Sequence, residues 1–167
     1  RVLQEAGYDV NDIPENGDEL IRQLTDGPTN AGIDNRQIKE TLSITDYESK
    51  FSALPKAIRD QVTKRWGLPA FDPFFLSDKN DYGAFAISAL RFGNITVGLQ
   101  PARGYNIDPK SSYHDPALVP PHGYFAFYAW IRHKFSADAI IHMGKHGNLE
   151  WLPGKAVALS DTCFPEA

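Results

Sequence analysis

Three side chains that can bind a metal ion or accept a proton lie at even spacing near the end of the chain: His142, His146 and Glu150. Neutral imidazole and carboxylate are ligands for divalent ions of the first transition row. The same groups are the usual proton acceptors near neutral pH. The pattern therefore indicates metal binding or acid–base chemistry. Residue types alone leave a second interpretation open, in which His142 is a structural histidine and Glu150 a solvated loop acid.

The four-residue spacing would align the three side chains on one face of an α-helix, but the sequence between them opposes a helix. Two glycines and a proline interrupt it (Gly144, Gly147 and Pro153). Each interior glycine costs about 1 kcal/mol, and proline about 3 kcal/mol, relative to alanine. The apolar run 139–143 predicts a short buried strand instead. His142 would then lie at the carboxyl end of that strand, with the other two groups on the loop beyond it, where open α/β sheets bind ligands.

Four further residues could hold a large, planar, anionic ligand: Arg103, Tyr105, Lys145 and Trp151. The first two lie on the long loop 101–121, and loops of this length inside a compact domain are often functional. The two cationic groups could pair with an anion, and the two aromatic rings could stack on a flat ligand. Packing, a structural ion pair or solvation is the alternative for each of them.

Composition excludes several classes of function. A net charge of −4 and the lack of a Lys/Arg run argue against nucleic-acid binding. No apolar run approaches the roughly 20 residues that cross a bilayer, and the first residues lack a signal-peptide pattern. The single cysteine, Cys163, excludes an internal disulfide framework and a thiolate zinc site. We therefore expect a cytoplasmic protein with no membrane span.

The elements that must position these side chains divide the chain into two parts. Residues 1–70 are predicted to be mainly helical, with capping boxes at Asn16/Glu19 and Thr45/Glu48, a short helix over 35–42 and a helix after Pro55. Residues 71–167 form an α/β segment that carries the His-x-x-x-His-x-x-x-Glu loop. The chain begins inside an apparent helix and ends after a loop, so we expect it to be an internal fragment of a much longer polypeptide.

The α/β segment is predicted to contain a β-hairpin and a crossover. The runs 83–90 and 94–100 are rich in strand-forming residues and are joined by Arg91-Phe92-Gly93. A buried helix over 122–135 then leads to the strand at 139–143. Strand, helix and strand give a right-handed βαβ unit with 94–100 and 139–143 parallel. The predicted fold class is α/β, with a helical N-terminal part.

Parts of the sequence resemble a known family. The run His-Met-Gly-Lys-His-Gly-Asn-Leu-Glu-Trp-Leu-Pro-Gly-Lys that opens 142–160 is similar to the characteristic segment of the large subunit of aerobic cobaltochelatase (CobN). The H subunits of magnesium chelatase have a similar run. The resemblance extends through 91–106 and 119–124 and covers about half of the chain closely. Trp151, where the magnesium enzymes tend to have Phe, favours the cobalt branch.

The resemblance implies ATP-dependent insertion of Co²⁺ into the tetrapyrrole hydrogenobyrinic acid a,c-diamide in cobalamin biosynthesis. A separate AAA+ ATPase subunit would use ATP and Mg²⁺, with a third chelatase subunit beside it. The chain itself has no Gly-x-x-x-x-Gly-Lys-Ser/Thr phosphate loop, as that division of labour requires. The fragment alone is expected to be inactive.

Carried over by position, the resemblance gives each candidate residue a role. Glu150 would be the proton acceptor or metal-guiding carboxylate, and His142 and His146 the metal relay or second base. Arg103 and Lys145 would pair with carboxylates on the ring periphery, while Tyr105 or Trp151 would pack on its face. The alternatives are a non-catalytic scaffold or interaction domain of the chelatase complex and an H-type subunit for magnesium protoporphyrin. A zinc hydrolase is disfavoured, since a clear third ligand is missing.

Overall fold

Helices make up most of the first part of the molecule. The computed structural model describes residues 2–77, 83–108, 115–144, 148–154, 160 and 163–166, without the side chains of Glu150 and Glu166. The helices of the first part are α1 (Val2–Glu5), α2 (Gly17–Asp26), α3 (Ile44–Ala53) and α4 (Lys56–Trp66). The α2 cap is confirmed, because Asn16 Oδ1 accepts the Glu19 backbone N–H at 2.9 Å. The end of α4 at Gly67, with φ of 79°, is also as predicted.

Two predictions in the first part are wrong. The short helix expected over 35–42 is absent, and Glu40–Ser43 forms strand β1 instead. The capping box at Thr45 is also displaced: Ser43 caps α3 by accepting the Asp46 backbone N–H at 3.1 Å. Both errors have one cause, since β1 runs directly into α3 and its last residue serves as the helix cap.

The strands form two small antiparallel sheets. In the first, β3 (Ala84–Ile87) lies between β1 and β2 (Phe75–Leu76), with Leu42 opposite Phe85. In the second, β4 (Ala89–Phe92) and β5 (Ile95–Gly98) form the predicted hairpin, with its turn at Gly93 and Asn94. The predicted run 83–90 is thus divided at Ser88 between two sheets. Since β1 and β3 lie on either side of residue 70, the first sheet joins the two predicted parts, and their division at that residue stays a prediction.

The second part contains the helix predicted over 122–135. It consists of α5 (His122–Ala129) continued by a π-helical turn (Trp130–Lys134). Short 3-10 turns cover Pro69–Phe71, Asn148–Trp151 and Phe164–Glu166. Trp130 is fully buried at the centre of the larger core cluster, with Phe85 and Ile87 of β3. As expected from its apolar sequence, the helix is buried on more than one side.

The predicted strand at 139–143, and with it the parallel βαβ unit, is wrong. These residues form neither helix nor strand, and their side chains are exposed: Ile141 is 84% and Met143 93% accessible. All strand pairs in the described part of the chain are antiparallel. A strand requires a neighbour for its backbone groups, and no described strand lies beside this segment. Its apolar sequence could not reveal that. The coarser prediction of mixed helix and strand is correct.

Candidate functional site

His142 lies in the exposed segment after the helix, but its ring is held on one side. Its Nδ1 lies 3.1 Å from Gln100 Nε2. The ring stacks on Tyr128 of α5, with centroids 6.2 Å apart and an interplanar angle of 13°. The exposed histidine is therefore attached to the core through one amide and one aromatic ring.

Gln100 connects three parts of the candidate site. Its Nε2 also donates to the Tyr128 hydroxyl at 2.8 Å, and its Oε1 accepts the Asn148 backbone N–H at 2.9 Å. Burial raises the pKa of Tyr128 above its usual value, while the bond from Gln100 opposes that shift, so the hydroxyl stays neutral at physiological pH. The amide thus links His142, α5 and the turn that carries Glu150.

Asparagine side chains order the backbone that follows β5. Asn30 Nδ2 donates to Gln100 O at 3.2 Å, and its Oδ1 accepts the Ala102 N–H at 2.9 Å. Asn106 returns a bond to Asn30 O at 3.0 Å, and Asn148 Nδ2 donates to Pro101 O at 2.7 Å. An irregular loop must satisfy its backbone groups with side chains. These amides hold the loop beside the 148–151 turn.

Arg103 is fully buried. Its Nη1 donates to Trp151 O at 2.6 Å and to Asp115 O at 3.2 Å. The guanidinium therefore holds three irregular segments together, around 103, 115 and 151. Its predicted contact with a substrate carboxylate stays a prediction.

The end of α4 supports the same loop. Trp66 Nε1 donates to Val119 O at 2.8 Å, and Arg65 forms an ion pair with Asp108. Gly104 has φ of 106°, and a Cβ there would lie 2.5 Å from the Trp66 ring. The loop can approach this tryptophan only because residue 104 is glycine.

The structure describes only some of the other predicted site residues. Tyr105 and Trp151 are both half-buried, Tyr105 in the turn after Gly104 and Trp151 at the end of its 3-10 turn. Glu150 lies in the same turn as Trp151, but its side chain is not among those described, and His146 and Lys145 lie outside the described residues. Within the described ranges, no three His, Cys, Asp or Glu side chains converge as a metal site.

Gln100, Asn30 and Asn148 were not predicted as site residues. Gln100 and Asn148 lie within the two runs that carry the family resemblance, which is the one signal in the sequence that points to them. The groups that bind these three side chains are 28 to 72 residues away along the chain. Nothing in the local sequence indicates such bonds.

A second histidine, His122, lies in the core and differs in every contact. Its Nδ1 lies 2.6 Å from the Tyr47 hydroxyl, and its Nε2 lies 3.1 Å from Gly67 O. A carbonyl can only accept, so Nε2 carries the proton and Nδ1 accepts from tyrosine. Burial lowers the pKa of His122, against the opposing effects of the Gly67 bond and nearby Asp72.

Asp72 is the acid nearest to this buried pair. It accepts backbone N–H groups from Gly123 at 2.7 Å and Phe74 at 2.9 Å. Burial raises the pKa of Asp72, while these two bonds and His122 lower it. The His122 cluster has no exposed face and no unused ring nitrogen, so its role is structural.

No helix among the described residues is both long and apolar enough to cross a membrane. A family profile described as "CobN/Magnesium Chelatase" matches residues 1–167. The aerobic cobaltochelatase subunit CobN of a Sinorhizobium species is 62% identical over 99% of this chain, which spans 12% of that protein.

A more distant relative and a solved structure point to the same family. The chloroplastic magnesium-chelatase subunit ChlH of Oryza sativa subsp. indica is 30% identical over 99% of this chain, which spans 11% of that protein. The solved catalytic subunit of cobaltochelatase from Mycobacterium tuberculosis superposes with a TM-score of 0.79 at 38% identity, over 99% of this chain and 14% of that one. The chain thus spans about an eighth of the relatives it matches, and it belongs to the CobN/magnesium chelatase family.

Proposed function

We propose that this chain is part of the tetrapyrrole-binding large subunit of an ATP-dependent cobaltochelatase, which inserts Co²⁺ into hydrogenobyrinic acid a,c-diamide in cobalamin biosynthesis. The observation that carries the proposal is the 62% identity to a CobN subunit over nearly the whole chain, against 30% to a magnesium-chelatase subunit. In this proposal an AAA+ ATPase subunit and a third subunit act with the protein in the cytoplasm. ATP and its Mg²⁺ are used by those partners.

The chemistry of insertion sets what the site must supply. A divalent ion has to lose water, and the free-base macrocycle has to lose two weakly acidic N–H protons as two nitrogen–metal bonds form. A loosely held ion and a nearby base are therefore needed. In our proposal Glu150 accepts a proton or guides the metal, and His142 and His146 supply the metal relay or second base.

The same proposal assigns the macrocycle to the two loops. Arg103 and Lys145 pair with ring carboxylates, and Tyr105 or Trp151 packs on the ring face. The described contacts support a common site, because Gln100 and Arg103 both bridge the loop after β5 to the turn that contains Glu150 and Trp151. Two loops that are distant in sequence are thus held side by side, which supports a shared site.

Replacing Glu150 with Gln tests this assignment. In the full-length subunit with its ATPase partners, Glu150→Gln removes the proton acceptor at almost unchanged volume. We expect cobalt insertion to fall at least 100-fold, while macrocycle affinity, measured by the change in its absorption spectrum, stays within about twofold. Glu5→Gln, on the exposed helix α1, is the matched control and should leave both unchanged. Unchanged insertion in Glu150→Gln would remove this residue from the mechanism.

A scaffold that only docks the ATPase subunits is the second candidate, and its supporting observation is the exposed apolar segment around Ile141 and Met143. A scaffold would bind neither metal nor macrocycle through these loops. Its signature is an unchanged insertion rate in Glu150→Gln together with weaker ATPase binding when Ile141 is replaced by a polar residue. The magnesium alternative is tested in the same assay by supplying Mg²⁺ and protoporphyrin.

A further inference from the structure

The orientation of the Gln100 side-chain amide is fixed by the Asn148 backbone N–H, which can only donate a hydrogen bond. The Asn148 backbone N–H is a donor, so the Gln100 atom 2.9 Å from it must be the amide oxygen. The amide nitrogen then faces the opposite direction, toward Tyr128 and His142. The usual uncertainty between the oxygen and nitrogen of a glutamine amide is thereby removed.

The amide nitrogen in turn decides which ring nitrogen of His142 carries the proton. An NH₂ group donates two hydrogens and accepts none. One hydrogen goes to the Tyr128 hydroxyl oxygen at 2.8 Å, and the other points to His142 Nδ1 at 3.1 Å. Nδ1 must therefore accept, so the proton of the neutral ring lies on Nε2. The stacking on Tyr128 keeps the ring in the plane that this bond requires.

This tautomer limits what His142 can do at its outer nitrogen. A metal ion binds the lone pair of a neutral ring nitrogen, whereas Nε2 here carries a hydrogen. Histidines that bind metal through one nitrogen usually donate the other N–H to a carboxylate, a carbonyl or water. At His142 the arrangement is the reverse, because the Gln100 amide donates a hydrogen bond to the inner ring nitrogen, Nδ1. Among the described residues Nε2 has no protein partner, and the side chain is exposed.

We propose that Gln100 is a positioning residue that holds His142 as its Nε2–H tautomer, so that His142 donates a hydrogen bond to an acceptor on the macrocycle and does not bind the metal ion. The inference rests on the proposed function for the identity of the substrate. Within that function it replaces the two roles proposed above for His142, metal relay and second base, with that of a hydrogen-bond donor to the substrate. Metal handling then falls to the remaining residues of the site.

Changing Gln100 to Glu should reverse the tautomer without disturbing the surrounding contacts. One carboxylate oxygen can accept from Asn148 N–H, and the other can accept from the Tyr128 hydroxyl and from His142 Nδ1–H. The Nε2 lone pair then becomes available, as in the carboxylate–histidine–metal arrangement. We expect the full-length subunit carrying Gln100→Glu to bind Co²⁺ at least 10-fold more tightly than wild type by isothermal titration calorimetry.

Three further variants make the test specific. His142→Ala in the wild-type background should leave the Co²⁺ affinity within twofold, and in the Gln100→Glu background it should abolish the gain. Gln61→Glu, which introduces the same charge on the exposed side of α4, should produce no gain. His142→Ala should also weaken macrocycle binding about 5- to 10-fold, the value of one lost hydrogen bond.

Each contrary result overturns a stated part of the proposal. A 10-fold loss of Co²⁺ affinity in His142→Ala would show that wild-type His142 already binds the metal. No gain in Gln100→Glu, or a gain that survives removal of His142, would show that Gln100 does not act through this ring. Unchanged macrocycle affinity in His142→Ala would overturn the donor role. None of these titrations requires turnover, so they can fail while cobalt insertion by the wild-type subunit still holds.

Discussion

Two histidines with the same tautomer have opposite roles in this molecule. His122 is buried in the aromatic core, where both of its ring nitrogens have protein partners, Tyr47 and Gly67. His142 lies on an exposed segment, where one nitrogen is held by Gln100 and the other has no partner among the described residues. In both rings the proton lies on Nε2. The difference is whether that N–H is used inside the protein or presented outside it.

The surroundings of the two rings differ in the same way. His122, at the start of α5, is buried against Tyr47 and Phe51, whose ring centroids lie 5.7 and 5.1 Å from its own. His142 instead contacts the Gln100 amide and one face of the Tyr128 ring and is otherwise exposed. The first region derives its stability from burial, and the second is positioned by hydrogen bonds. Substitutions should therefore act mainly on stability around His122 and mainly on ligand binding around His142.

The largest effect expected from this comparison concerns two isoleucines. Ile58 is fully buried in the smaller core cluster, whereas Ile141 is adjacent to His142 and largely exposed. Ile58→Ala should lower the free energy of unfolding by about 2–5 kcal/mol through lost burial and a residual cavity. Ile141→Ala should change it by less than about 0.5 kcal/mol. Urea unfolding measures both, and similar losses would show that the 139–143 segment is buried in solution.

Substitutions of the two histidines should give the next largest difference in the free energy of unfolding. His122→Leu replaces the ring with an apolar side chain of similar size. It leaves the Tyr47 hydroxyl and the Gly67 carbonyl without their hydrogen-bond partner. We expect a loss of about 2–4 kcal/mol in the free energy of unfolding. The matched His142→Leu substitution should cost no more than about 0.5 kcal/mol, because water replaces its contacts. Equal losses would contradict the division into a structural and a presented histidine.

A smaller effect should appear on acidification. Burial lowers the pKa of His122 below the ordinary 6.5, so the unfolded chain takes up a proton that the folded chain resists. Stability contributed by neutral His122 is therefore complete above pH 6.5 and is lost as the pH falls below it. Asp72 acts in the opposite sense, because burial raises its pKa and the folded state takes up its proton first.

The comparison of wild type with His122→Leu isolates the histidine contribution. The stability difference between them should shrink as the pH falls below 6.5, in unfolding curves recorded at a series of pH values. Asp72→Asn removes the carboxyl that opposes this effect. The stability of this variant should therefore fall more steeply than that of wild type as the pH decreases. A difference that stays constant with pH would mean that His122 is not buried in its neutral form.

Local signals in the sequence were sufficient for some elements and misleading for others. The Asn16 cap and the Gly67 stop act within one helical turn, so they could be read directly. Strand β1, with the sequence Glu-Thr-Leu-Ser, could not, because it is a strand only through its pairing with β3 more than 40 residues later. The segment 139–143 failed for the converse reason: its sequence suits a strand, but no described strand lies beside it.

The candidate site shows the same limit. The types and spacing of His142 and Glu150 drew attention to residues 142–150, since imidazoles and carboxylates can bind metal ions and accept protons, and their role as a site stays a prediction. The sequence could not show that a glutamine on another loop would set the tautomer of His142. That information lies in three distances, from Gln100 to Tyr128, His142 and Asn148. The orientation of an amide depends on contacts that exist only in the folded protein, so no pattern in the sequence indicates it.

One helix connects the two histidines mechanically. His122 begins α5, and Tyr128, which supports the His142 ring, lies six residues later on it, about 9 Å along the axis. Any shift of the helix start therefore reaches the exposed ring through a single rigid segment. If His142 has the role proposed above, mild damage to the core near Tyr47 should weaken macrocycle binding while the chain is still folded, and such variants would be mistaken for lesions of the site itself.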